Sequence, residues 1–196
     1  MAELIDSARK HVESLVADLE GEADFMPFMA YDGTTRGEPS TGYVGLVMPD
    51  NEERNDLADV MIAILAINRA TEATFASVSW AVTVQTREEL DGKMPSEHPD
   101  RVEVVFMLHV APEGDTFHQA RINRIDGRVV LGDWEVSKQK GEAGGRFADA
   151  MHMGIDLGQN LPPEMIRFID ARIDEDPEAL VQPFLRAMGH IRRGDQ

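Results

Sequence analysis

The chain has no cysteine among its 196 residues. Disulfides, zinc–thiolate sites and thiol catalysis are therefore excluded. It is poor in bases: 19 Lys and Arg stand against 36 Asp and Glu, a formal charge of −17. A surface that negative repels nucleic-acid phosphates and excludes non-specific DNA or RNA binding. No apolar run approaches the roughly 20 residues that a membrane span needs. The first residues, Met1 to Asp6, place acids where a secretory signal has bases and then an apolar run. The expected setting is the cytoplasm, with no membrane partner. Phosphate loops, dinucleotide fingerprints, nucleophile elbows and the His-Glu-x-x-His helix are all missing, and no cofactor is expected.

What is present is a globular balance, 42% hydrophobic and 28% charged, with enough aliphatic material for a core. Leu4, Ala8, Val12, Leu15, Val16 and Leu19 recur at helical spacing, predicting an amphipathic helix over 3–20 that stops at Gly21. A short strand is expected over Phe25–Tyr31, ended by an Asp32-Gly33 turn. A loop follows over Thr34–Thr41, then a second strand over Gly42–Met48. Asp50 and Glu53 read as a capping box opening a helix to about Ala70. That helix is apolar on nearly every side and is expected to be central.

Thr74–Val84, Arg101–Ala111, Thr116–Ile125 and Arg128–Val136 read as strands, the last two joined by an Asp126-Gly127 hairpin turn. Pro112–Asp115 is a further turn. After residue 138, weaker helical segments are expected over Phe147–Leu157, Pro163–Ile173 and beyond Asp176, with Gly154, Gly158 and Pro183 counting against them. The expectation is an α+β fold. A largely antiparallel meander packs on the central helix, flanked by an N-terminal helix and C-terminal helices. Its divisions are a core over 1–138 and a helical extension over 139–196.

Two constellations carry chemistry. Pro95 to Glu103 crowds Glu97, His98, Asp100, Arg101 and Glu103 at the mouth of a strand. Its functional reading is an acid–base or metal site on a stiffened loop. Its structural reading is a rigid lead-in where Arg101 pairs with Glu97 or Asp100. The second constellation is a row of His109, His118 and Glu135 across three strands, able to ligate a divalent metal. It needs His118 opposite Glu135 and a four-residue turn placing His109 opposite His118. A three- or five-residue turn moves His109 to the other face. That choice also sets Phe106 and Leu108 with Ala120 and Ile122, which packs better and argues against the row.

The middle 110 residues resemble a group of small uncharacterised proteins of bacteria, plasmids and phages. The resemblance rests on the Asp32-Gly33 strand, the long helix before Trp80, the stretch from Pro95 to Glu103, and Ile122-Asn123-Arg124 with Leu131-Gly132. It implies a mobile-element or phage accessory role and carries over no catalytic residues. The leading expectation is a non-enzymatic protein that binds a protein partner or itself, assembling through residues 162 to 192. The alternative is a metal-assisted or acid–base enzyme using the two constellations. A third reading is a nucleic-acid mimic, since residues 1–98 carry 19 acids and 7 bases.

Overall fold

A computed structural model describes residues 3–17, 19, 25–47, 54–82, 92, 94–138, 144–173 and 180–186. The elements are α1 (Glu3–Ala17), β1 (Phe28–Thr35), β2 (Glu38–Gly45), α2 (Arg54–Ile67), β3 (Glu72–Ala81), β4 (Val102–Val110), β5 (Thr116–Ile125), β6 (Arg128–Lys138), α3 (Arg146–Gln159) and α4 (Pro163–Asp170). A 3-10 turn spans Pro95–Glu97, and residues 180–186 are helical. The class is α+β. The proposed caps at Asp50, Glu53 and Asp176, the stop at Gly21 and the end of the Thr74–Val84 strand lie outside the described residues. Among the described residues no helix is long and apolar enough to cross a membrane.

All six strands form one antiparallel sheet in the order β2-β1-β3-β4-β5-β6. Helices cover both faces. The i, i+4 stripe of Leu4, Ala8, Val12 and Val16 buries α1 against Phe28, Ala30, Ala76, Val105, Met107 and Ile122. On the other face α2 and α3 pack over Met29, Tyr31, Phe75, Leu108 and Val110. Since β1, β3 and β4 are covered on both sides over part of their length, they bury consecutive rather than alternate residues there: 28–31 in β1, 72–76 in β3 and 107–110 in β4. This is why β4 buries Val105 and Met107 as well as Val104 and Leu108.

The expected turn at Asp32-Gly33 is instead the interior of β1. Chain reversal happens four residues later, at Arg36-Gly37, with φ of 53° and 80°. Both values lie in the left-handed region that a two-residue hairpin requires. The same geometry, φ of 51° and 78°, holds at Asp126-Gly127, where the hairpin was expected. The predicted loop over Thr34–Thr41 is therefore mostly strand. Gly33 answers a different demand: Asn68 of the α2–β3 connection crosses β1 there, and Thr34 N–H donates to its carbonyl at 2.9 Å.

Helix α2 is covered on more than one side, as its composition predicts, while Leu57, Val60 and Ile64 stay partly exposed. Met61 and Leu65 face the sheet, while Ala63, Ala66 and Ile67 face Leu161, Ile169, Leu180 and Phe184. Helix α3, expected to lie in an extension, enters the main core through Met151, Ala148 and Ala150. Gly154 and Gly158, which weakened its prediction, are contact points, because they let α3 lie directly on the α2 backbone. The far end of α4 is tied back by Asp170, which pairs with Arg69 at 3.0 Å and accepts from the Arg36 amide at 3.3 Å.

Candidate functional site

The α1-covered face is apolar except at one end. The registers set Asp32 beside Glu72, Thr74 beside His109, and His109 beside Thr116. His118 lies two residues further on, opposite Met107 and Val136. The result is a polar strip across four strands under the N-terminal half of α1. Glu72, Thr74, His109 and His118 are all buried, so each polar atom needs a partner.

His109 lies 2.9 Å by Nδ1 from the Thr74 hydroxyl and 3.3 Å by Nε2 from the Glu72 carboxyl. Burial raises the Glu72 pKa, and the neighbouring Asp32 charge raises it further. Burial lowers that of His109. Desolvation disfavours both charged forms together, which favours a neutral acid beside a neutral imidazole. Asp32 in turn accepts from the Thr41 hydroxyl at 2.5 Å.

His118 has a fixed tautomer. Arg9 reaches down from α1 and places Nη2 2.5 Å from His118 Nδ1. A guanidinium only donates, so Nδ1 must carry the lone pair. The proton then sits on Nε2, 2.7 Å from the Thr116 hydroxyl. Burial first, then the Arg9 charge, depress the His118 pKa to about 4. Arg9 also lies 5.4 Å from the Trp134 ring centre and 3.9 Å from Asp6. Its Nε is buried with no hydrogen-bond partner among the described residues.

The proposed metal row is not assembled. His109 and His118 do share a face, but they sit diagonally, because His109 rather than Ala111 pairs with Thr116. A bulge between Ala120 and Ile122 shifts the β5–β6 register by one residue. Glu135 therefore opposes Gln119, on the other side of the sheet, and accepts from its amide at 2.9 Å. The sequence pattern counted back from the hairpin without that bulge. The packing argument against the shared face also fails. Phe106 lies beside Gln119 and Leu108 beside Phe117, since the two-sided sheet needs apolar residues on both faces of β4. Among the described residues no group of three or more His, Asp or Glu could hold a metal.

The polar groups of the Pro95–Glu103 stretch have separate partners, some within the stretch and some on neighbouring strands. Glu97 accepts from the Met94 amide at 3.0 Å, and His98 Nδ1 accepts from the Asp100 amide at 3.1 Å. Arg101, expected to pair with Glu97 or Asp100, instead stacks its guanidinium 4.9 Å from the Trp80 ring centre. Glu103 pairs with Arg124 at 2.6 Å. Those groups point to different partners and do not converge on one point.

Sequence reading missed Arg9, Asp32, Glu72 and Thr74, whose meeting depends on strand order. It also missed His152 and Asp115. His152 on α3 donates from Nε2 to the almost fully buried Asp115 carboxylate at 2.9 Å. His152 borders a groove of about 590 Å3 with Thr71, Asp156 and Gln159 on its polar side. A buried carboxylate fixes the imidazole's orientation there. The Gln159 amide is committed to the carbonyls of Arg69 and Ala70, at 3.1 and 3.0 Å.

The chain matches no protein-family model, no curated protein and no solved structure.

Proposed function

We propose that this protein acts by holding another protein rather than by catalysing a reaction. The observation that carries this reading is an apolar trough along α2. One part, about 600 Å3, lies between the β1–β2 edge and α2, with Tyr31, Val44, Leu57, Val60 and Ile64 in its wall. A second part, about 310 Å3, lies between α2 and α4 with Met165, Phe168 and Phe184. Ile67 belongs to both. The 14 residues of α2 give the trough about 21 Å of length, enough for roughly four turns of a partner helix.

Charge selects the occupant. The sequence running into and along the start of α2 carries Asp50, Glu52, Glu53, Asp56 and Asp59 against one base, Arg54. Two copies of a chain with net charge −17 repel each other. An amphipathic helix with an apolar stripe and basic flanks meets both demands, so the partner is a basic protein segment rather than a second copy.

The test uses an 18-residue Leu–Lys amphipathic peptide and its Leu–Glu counterpart, titrated calorimetrically into the full chain. The Leu–Lys peptide is expected to bind at one site, and Val60→Asn is expected to weaken it at least tenfold. Equal binding of both peptides, or an unchanged affinity in V60N, overturns the reading. A stable dimer by native mass replaces it with self-association.

A further inference from the structure

Helix α1 is held to the sheet by two different kinds of contact. Its apolar stripe is the larger. At its N-terminal half the contact becomes polar, and there the half-buried Arg9 guanidinium faces the buried His118 imidazole. Arg9 can only donate. His118 can accept only while Nδ1 is unprotonated. A proton added to Nδ1 removes the hydrogen bond and leaves two cationic donors 2.5 Å apart.

We propose that α1 is an acid-released latch, in which protonation of His118 expels Arg9 and lifts the helix from the sheet. Release uncovers the apolar surface of Phe28, Ala30, Ala76, Val105, Met107 and Ile122. This goes beyond the binding role proposed for the trough and stands on the opposite face of the sheet.

The surroundings of His118 decide the sign. From α1 the facing charges are Arg9 and, further off, Asp6. From β4 comes His109, itself held beside Glu72 of β3. From β5 comes only the Thr116 hydroxyl, and from β6 the neighbour is Val136. Glu135 is turned to the other face, and Glu13 is engaged with the Trp134 indole at 3.0 Å. Only Asp6 favours the imidazolium through α1, whereas Arg9 and His109 both oppose it. The other imidazole of α1, His11, lies edge-on to Phe28 and Tyr43 at 5.0 and 5.4 Å. The unpartnered Arg9 Nε means that the docked state already carries one unmet donor.

The size follows from the depressed ionisation of His118. With about 4 in the docked state against 6.5 when exposed, the docking equilibrium weakens about 20-fold from pH 7 to pH 5 and about 100-fold by pH 4.

Hydrogen exchange of the full chain, followed by mass spectrometry and corrected for the intrinsic pH dependence of amide exchange, reads this directly. Amides of α1 are expected to lose about 20-fold protection between pH 7 and pH 5 and to stay less protected than those of β3 and β4 at both. Equal protection of α1, β3 and β4 at both pH values means that α1 leaves only by global unfolding and overturns the latch. So does unchanged protection in α1. His118→Gln keeps an acceptor for Arg9 and a donor for Thr116 but does not titrate, so its α1 is expected to show no pH step. Arg9→Gln removes the repelled charge but leaves His118 buried, and is expected to shrink the same step, which keeps the test open if H118Q folds poorly. A variant that folds yet retains the 20-fold step overturns the proposal.

Discussion

Gly154 of α3 rests on the backbone of Ile62 in α2, so close that an added Cβ would stand 3.0 Å from the Ile62 carbonyl oxygen and 2.9 Å from Leu65 Cβ. Ordinary helix propensity favours alanine over glycine by about 1 kcal/mol. Here the neighbour is largely backbone and cannot turn aside. Overpacking of this kind costs about 1–3 kcal/mol. Gly154→Ala is therefore expected to destabilise the fold by about 1 kcal/mol net. A lower urea midpoint with an unchanged slope would report it. Gly158, similarly placed 3.0 Å from Ala66, should behave alike.

Gly33→Ala should be the harsher substitution. Its Cβ position meets the Asn68 carbonyl oxygen, and two hydrogen bonds close around the same crossing. Thr34 donates to Asn68 at 2.9 Å, and Thr71 donates to the Asp32 carbonyl at 2.8 Å. The side chain cannot enter without parting β1 from the α2–β3 connection. A loss of more than about 3 kcal/mol is expected, in the range that marks a specific structural cause. Thermal melting of G33A beside G154A would rank them.

The stability of the whole chain should fall on the acid side of neutrality, and the sign follows from the two histidines. His118 binds its proton at 6.5 when unfolded but only near pH 4 when folded. Its contribution is complete above pH 6.5 and is lost as pH falls to about 4, a change on the order of 3 kcal/mol. The lowered His109 works in the same direction. Glu72 works in the opposite one. Its raised pKa makes its contribution complete below its unfolded value of 4.5 and lost as pH rises through the folded value. Glu72→Gln should therefore be better tolerated at pH 8 than at pH 5. Urea midpoints of both proteins at the two pH values give the comparison.

Helix α1, the covering of α2 on more than one side and the Asp126-Gly127 hairpin were legible because each depends on residues a few positions apart. The i, i+4 stripe from Leu4 to Val16 needs no knowledge of what it meets. The polar strip was not legible. Asp32, Glu72 and His109 come together only because β3 returns between β1 and β4, and no local pattern encodes that insertion. The metal row failed for a smaller reason. One bulged residue near Arg121 turned Glu135 to the other face, and period-2 counting has no way to register it. Gly33 misled in the same manner, since a glycine needed for a backbone crossing looks like a glycine needed for a turn.

Substitutions along Pro95–Glu103 should be quiet. The stretch looks chemically rich, but its contacts are separate and lie at the surface. Arg101→Ala removes a guanidinium from an exposed face of Trp80, worth about 0.5–1 kcal/mol. Arg124→Ala breaks a pair with Glu103 in which the arginine is largely solvated, worth less than about 1 kcal/mol. His98→Ala loses one hydrogen bond to an exposed amide, a cost within about 0.5 kcal/mol for a surface change of this kind. Because the three sites have separate partners, the triple variant should lose close to the sum of the single effects. A converging site behaves differently, since its members are held together and their losses do not add. Chemical denaturation of the three single variants and the triple variant separates the two. A departure from additivity above about 1 kcal/mol would restore the loop as a cooperative site.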